Sequence, residues 1–190
     1  MAFQVISSHL NGLHVLKPDV FGDFRGFFME SFHAERFREL GFPVDFVQDN
    51  HSRSAKGVVR GLHFQWDPPQ GKLMRVTRGS AFCVAVDIRK GSPSYGEWYG
   101  LELSEENKLM IWGEAGYARG FCALEDDTEV QYKCTGIYNA KGESGILWND
   151  PAIGIPWPIE NNTLSDKDSQ AQTLSEWEKR PESEGFVYSG

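Results

Sequence analysis

Cysteine is scarce, basic residues are in the minority and no long apolar run occurs, and each shortage excludes a class of protein. The three cysteines, Cys83, Cys122 and Cys134, lie 39 and 12 positions apart, a spacing that fits no zinc site. All three sit in apolar or alternating stretches, so buried, reduced thiols of a cytoplasmic protein are expected rather than disulfides. The longest unbroken apolar run is Ala81 to Val86, six residues, far from the ~20 that a membrane-crossing helix needs. Residues 1–12 show no basic start followed by an apolar stretch, so no signal peptide is expected. The 19 Lys and Arg face 27 Asp and Glu, giving a net charge of −8. With no basic block or stripe, the chain does not read as an electrostatic nucleic-acid binder. An anionic ligand would have to be held by a few local Arg and Lys residues. Neither a Gly-x-Gly-x-x-Gly dinucleotide loop nor a Gly-x-x-x-x-Gly-Lys-Ser/Thr phosphate loop is present.

Aromatic residues are plentiful: 13 Phe, 6 Trp and 6 Tyr in 190 residues that are 40% hydrophobic. This composition excludes a disordered chain and suits a packed core. We expect one domain over residues 1–190, with a polar extension from about 160 that wraps around the core or frays. Short segments rich in β-branched and aromatic residues follow one another between turn residues: 58–65, 72–78, 81–88, 99–103, 109–112, 120–124 and 129–138. They predict an all-β fold, an antiparallel jelly roll. Helical signals are few. One spans 34–40, closed by Gly41 and Pro43, and another lies near 175–179.

In the last predicted strand Val130, Tyr132 and Cys134 share one face. Tyr132 therefore points inward, either as a core tyrosine with its hydroxyl satisfied or as a functional group. His63 has the same two readings. Arg60 is close by and Lys72 follows a Pro-Pro-Gln-Gly turn, so cationic groups crowd this region. Arg60 and His63 have opposite parity and share a cavity only if the strand bulges, which Gly61 permits. Metal-binding jelly rolls of the cupin class resemble one another in a His-x-His pair and a later Pro-x-Gly-x-x-His. Here the first reads His63-Phe64-Gln65, and Arg119 occupies the place of the last ligand. Arginine has no lone pair to donate, so no metal site is expected and the chemistry should be cofactor-free acid–base work.

The ordered motifs Asp23-Phe24-Arg25-Gly26-Phe27-Phe28-Met29-Glu30, Phe46-Val47-Gln48-Asp49-Asn50, Arg60-Gly61-Leu62-His63-Phe64-Gln65, Gln70-Gly71-Lys72-Leu73, Val86-Asp87-Ile88-Arg89, Trp148-Asn149-Asp150-Pro151 and Leu164-Ser165-Asp166-Lys167-Asp168 resemble the dTDP-4-dehydrorhamnose 3,5-epimerases. The resemblance runs from about residue 3 to 175. It implies a cupin-type jelly roll with a few short peripheral helices, assembled as a homodimer. It also implies a nucleotide-diphosphate sugar as substrate and no cofactor.

The resemblance makes His63 the general base, oriented by Asp168, Tyr132 the acid on the opposite face of the sugar, and Lys72 the neighbour of the developing oxyanion. Arg25 and Glu30 are expected to reach the partner subunit's site. Gln48, Asn50, Arg60, Glu143 and Lys167 are expected to contact the ligand, and Tyr138 to stack on the base. The chain departs from the family at Arg119, where a His is usual, and at Ser144, where an Arg is common. At Arg119 the departure reads either as tolerated drift or as a changed substrate or number of inverted centres. Single-centre epimerisation, ketoisomerisation of the sugar, a metal cupin and a non-catalytic sugar-nucleotide binder are the other readings.

Overall fold

The computed structural model describes residues 2–189. Two antiparallel sheets face each other. One is ordered β1 (Phe3–His9), β2 (Leu13–Pro18), β10 (Met110–Gly113), β7 (Lys72–Arg78), β12 (Thr128–Cys134) and β5 (Gln48–Ser54). The other is ordered β13 (Glu143–Gly145), β6 (Val59–Gln65), β11 (Tyr117–Ala123), β8 (Ser80–Asp87) and β9 (Trp98–Ser104). A separate hairpin joins β3 (Val20–Asp23) to β4 (Gly26–Met29). The helices are short: α1 (Ala34–Glu39), α2 (Asp166–Ser169), α3 (Leu174–Glu178) and a 3₁₀ turn at Pro181–Gly185. This is the expected jelly-roll layout.

The central strands of each sheet are buried on both faces. Met74, Val76 and Val130 of the first sheet meet Ala81, Cys83, Ala85 and Phe121 of the second between the layers. Behind the five-stranded sheet, Leu62, Phe64, Val84, Val86 and Ala118 pack on Ile153, Leu174, Trp177 and Phe186. Behind the six-stranded sheet, Leu16, Leu73, Met110 and Trp112 pack on Phe37 and Phe42. Strands covered on two sides have no solvent face, which is why β8 and β11 read as nearly continuous apolar runs. The C-terminal segment therefore wraps rather than frays. Trp177 is fully buried, and Asp150 Oδ2 accepts a 2.7 Å hydrogen bond from the Leu174 amide. Cys83, Cys122 and Cys134 are buried free thiols, as expected.

Two strand boundaries differ by three residues or more from the sequence reading. β11 starts at Tyr117 rather than 120, since the turn at Ala115-Gly116 precedes it. β12 ends at Cys134 rather than 138. There Gly71 N donates to Thr135 Oγ1 at 2.9 Å and Thr135 N to Gly71 O at 3.1 Å, while Gly136 packs against Pro68 and Pro69, so the chain turns and Tyr138 lies outside the strand. The strands of residues 3–54 carry no clear alternation and were not expected as strands.

The pairing of β6 with β11 slips once. Arg119 lies opposite His63 and Phe121 opposite Arg60, so Gly61 and Leu62 together face the single residue Gly120. This is the bulge that the opposite parities of Arg60 and His63 require, and it turns both side chains toward the space between the sheets. Gly61 holds φ +139°, and a Cβ there would lie 2.5 Å from Gly120 Cα. Gly41 also has a positive φ, +81°, but open space where its Cβ would be. Gly41→Ala should therefore cost about 1 kcal/mol of backbone strain, and Gly61→Ala at least about 3 because backbone clash is added. Urea unfolding of the two variants checks the difference.

Candidate active site

Side chains from both sheets enclose a cavity of about 170 Å³. The five-stranded sheet contributes Arg60 and His63 from β6 and Arg119, Gly120 and Phe121 from β11. The six-stranded sheet contributes Lys72 and Met74 from β7, Tyr132 from β12 and Ser52 from β5. In that sheet's register Tyr132 pairs with Met74 on one side and Asn50 on the other, and Lys72 pairs with Cys134. His63 and Tyr132 thus stand on opposite walls.

His63 Nε2 lies 2.6 Å from Asp168 Oδ1. Asp168 is held by α2, whose N-cap Ser165 accepts the Asp168 amide at 3.1 Å, and the Gly61 amide donates to Oδ2 at 3.4 Å. Burial raises the Asp168 carboxyl, but the hydrogen bonds from His63, Gly61 and Ser165 outweigh it and hold the pKa below the usual carboxylate range. An ionised carboxylate fixes the imidazole with its proton on Nε2 and leaves Nδ1 as the basic nitrogen.

On the facing wall, burial is the main cause that raises the Tyr132 phenol above its ordinary value, so the hydroxyl stays protonated and able to donate. Lys72 Nζ lies 5.2 Å from the centre of the Tyr132 ring. Burial, followed by the charge of Arg119, lowers the Lys72 ammonium to about 8. Among the described residues no carboxylate lines the cavity, while the basic side chains of Arg60, Lys72 and Arg119 do. Such a lining is suited to an anionic ligand or to negative charge that develops during reaction.

A profile of the dTDP-4-dehydrorhamnose 3,5-epimerases matches residues 7–176. The dTDP-4-dehydrorhamnose 3,5-epimerase of Shigella flexneri is 52% identical over 171 residues, 89% of this chain and 94% of that protein. The chain belongs to this epimerase family. A Legionella pneumophila dTDP-6-deoxy-D-glucose-3,5-epimerase, solved in complex with dTDP-4-keto-L-rhamnose, superposes with a TM-score of 0.88 at 46% identity, over 91% of this chain and 93% of that one. A more distant relative, the dTDP-4-dehydrorhamnose 3-epimerase of Streptomyces niveus, is 38% identical over 88% of this chain and 82% of that protein.

The remaining site residues expected in this epimerase fall into two groups. The first lies near the cavity. Arg60 Nε donates to Ser54 Oγ at 3.1 Å. Gln48 donates to Asn50 Oδ1 at 3.0 Å and accepts from the Tyr138 amide at 2.8 Å. The Tyr138 hydroxyl donates to Glu143 at 2.7 Å, and Lys167 pairs with the same carboxylate. Arg25 and Glu30 form the second group and do not line this cavity. Arg25 projects from the β3–β4 hairpin and pairs with Asp23, and Glu30 pairs with Arg36 of α1. Ser52, Met74 and Phe121 also line the cavity and were not anticipated. Ser52 shares the parity of Gln48 and Asn50, which was the available signal.

The lowered Lys72 value is directly testable. In ¹³C-dimethylated protein one lysine resonance should titrate near pH 8, below the others, and should be the one missing from Lys72→Met. A spectrum in which every lysine titrates at its ordinary value would contradict the geometry.

Proposed function

We propose that the protein is a cofactor-independent epimerase that inverts C3 and C5 of dTDP-4-dehydro-6-deoxyglucose, acting as a cytoplasmic homodimer in which residues 1–190 form one catalytic unit. The observation that carries this reading is the placement of a carboxylate-oriented imidazole and a protonated phenol on facing walls of one cavity. The C4 ketone acidifies the neighbouring C–H bonds. His63 takes the proton from carbon, the C–H electron pair becomes a C=C bond and the carbonyl oxygen becomes an enolate. Tyr132 then returns a proton to the same carbon from the other side, which inverts it. Solvent removes the proton from His63 and restores that of Tyr132. An imidazole held by a carboxylate suits the abstraction, and the Tyr132 phenol, raised above its ordinary value by burial, keeps the proton it delivers. Lys72 supplies positive charge for the enolate.

Arg60 provides a guanidinium for the diphosphate. Tyr138, 54% exposed, offers a ring for the base to stack on, with Gln48, Asn50, Glu143 and Lys167 as its polar neighbours. The greater identity to a two-centre relative than to a single-centre one supports inversion at both carbons.

The homodimer rests on the β3–β4 hairpin, which leaves Phe21, Phe24, Phe27 and Phe28 exposed, Phe24 to 98%. An aromatic hairpin in solvent is unfavourable, and a second copy of the chain would cover it. This arrangement would carry Arg25 and Glu30 to the partner's site. Among the described residues no helix is long and apolar enough to cross a membrane.

In D₂O, wild-type protein should introduce deuterium at C3 and C5 of the substrate, with the L-configured product trapped by a reductase. His63→Ala should lower the exchange rate by about 10²–10⁴, and exchange within a few-fold of wild type would refute its role. Exchange at one carbon alone would make the protein a single-centre epimerase. Sedimentation should give twice the chain mass, and the double substitution Phe24→Ser with Phe28→Asp should halve it.

A further inference from the structure

Tyr138 stands on a stretch of chain that has no ladder to hold it. β12 ends at Cys134 and β13 begins at Glu143, and residues 137–139 between them belong to no helix or strand. The ring is 54% exposed, so little packing fixes its direction. That task falls to the backbone, whose polar groups are held by side chains. Gln65, the last residue of β6, is 3% exposed. Its Nε2 donates to Ile137 O at 3.0 Å and to Pro68 O at 2.8 Å, and its Oε1 accepts from the Asn139 amide at 2.8 Å. Just before this segment, Gln70 Nε2 donates to Gly136 O at 2.6 Å.

Ile137 O belongs to the peptide that precedes the Tyr138 Cα, and Asn139 N to the peptide that follows it. One carboxamide therefore holds both peptide planes around Tyr138, and those planes define its φ and ψ. It takes the place of the strand partner that this segment lacks. Its two ends are not interchangeable, because the oxygen would then face two carbonyls. The far end of Tyr138 refers to the same point of the fold: its hydroxyl donates to Glu143, the residue paired with Gln65 across β13 and β6. Metal-binding jelly rolls carry the second His of their pair at this position. Here the side chain engages the 137–139 segment instead.

We propose that Gln65 is a positioning residue for nucleotide recognition, which sets the backbone of Tyr138 and so presents that ring to the base. This inference rests on the reading above in which Tyr138 stacks on the base. Gln65 touches no ligand and moves no proton. It lies two residues after His63 on one strand, so the base platform and the imidazole are held at a fixed separation. A platform ordered before the ligand arrives removes an ordering cost from binding.

The test compares wild type, Gln65→Met, Tyr138→Ala and the double variant. Affinities for dTDP and for inorganic pyrophosphate come from calorimetry, kcat and KM from deuterium exchange into dTDP-4-keto-6-deoxyglucose, and folding from thermal melting. Tyr138→Ala should weaken dTDP binding by about 5- to 100-fold, the range for a base stacked on an aromatic ring. Gln65→Met should weaken it by about five- to ten-fold, the cost of ordering the ring and its segment on binding. Its KM should rise by the same factor, with kcat within three-fold and pyrophosphate affinity within two-fold of wild type. A merely structural role would lower all of these together. Added to Tyr138→Ala, Gln65→Met should cost less than two-fold more, because both act through one ring. Wild-type dTDP affinity in Gln65→Met, an equal loss for pyrophosphate, or additive losses in the double variant would each overturn the proposal. If Gln65→Met does not fold, Gln65→Glu decides, since it keeps the shape and the acceptor but has no hydrogen to donate at neutral pH. A five-fold loss confined to dTDP supports the proposal, and an unchanged affinity overturns it. Unchanged dTDP affinity in Tyr138→Ala would overturn the base-stacking reading and this inference with it, whereas loss of the epimerase reading would show in the exchange experiment.

Discussion

Gly61 and Gly120 approach across β6 and β11 until no side chain fits between them, and the composition of the cavity follows from that contact. A regular ladder would send Arg60 and His63 to opposite faces of the sheet. The extra residue opposite Gly120 restores them to one face. Without it His63 could face inward only by turning Arg60 into the apolar layer behind the sheet, where Leu62 and Phe64 now sit. The Gly61 amide also donates to Asp168, so the irregularity that aims the imidazole also helps to hold the carboxylate that orients it.

Burial then sets the chemistry of the opposite wall. Taking a group out of water disfavours its charged form. For Tyr132 this keeps the proton on the phenol, the state a donor needs. For Lys72 it brings the ammonium close to losing its proton, so a negative oxygen placed beside it would be strongly favoured. One cavity between two sheets therefore sets a protonated phenol and an ammonium on one wall against a carboxylate-paired imidazole on the other.

Much of this was legible in the sequence where local pattern and fold agree. The strand over 72–78 has its expected bounds, and the inward face of Val130, Tyr132 and Cys134 follows from simple alternation. The parity conflict between Arg60 and His63 even announced the bulge. Other features lay beyond local pattern. β5 reads as a polar segment because Gln48, Asn50 and Ser52, on one of its faces, are polar residues rather than core ones, and Ser52 lines the cavity. The β3–β4 hairpin shows aromatic residues that its own chain does not bury. Asp168 comes from a four-residue helix 105 positions away from His63, and motif resemblance rather than periodicity pointed to it. Arg119 donates to Gly113 O and Glu114 O at the β10–β11 turn, contacts that no residue pattern encodes.

A cavity that brings half-buried Lys72 and buried Arg119 together without a carboxylate in its lining opposes folding, because cations withdrawn from water lose hydration and repel one another. The sheets must therefore be held together by something other than the space between them. Their outer faces provide it: α1 with Phe37 and Phe42 behind one sheet, and Trp177 and Phe186 from the C-terminal segment behind the other. Burial there is apolar and carries no functional constraint, so it can offset the charge held inside. This division of labour explains why β8 and β11 lack a polar face and why a polar-looking tail is bound tightly. It also explains how a fold of this size tolerates a pocket lined by three basic side chains.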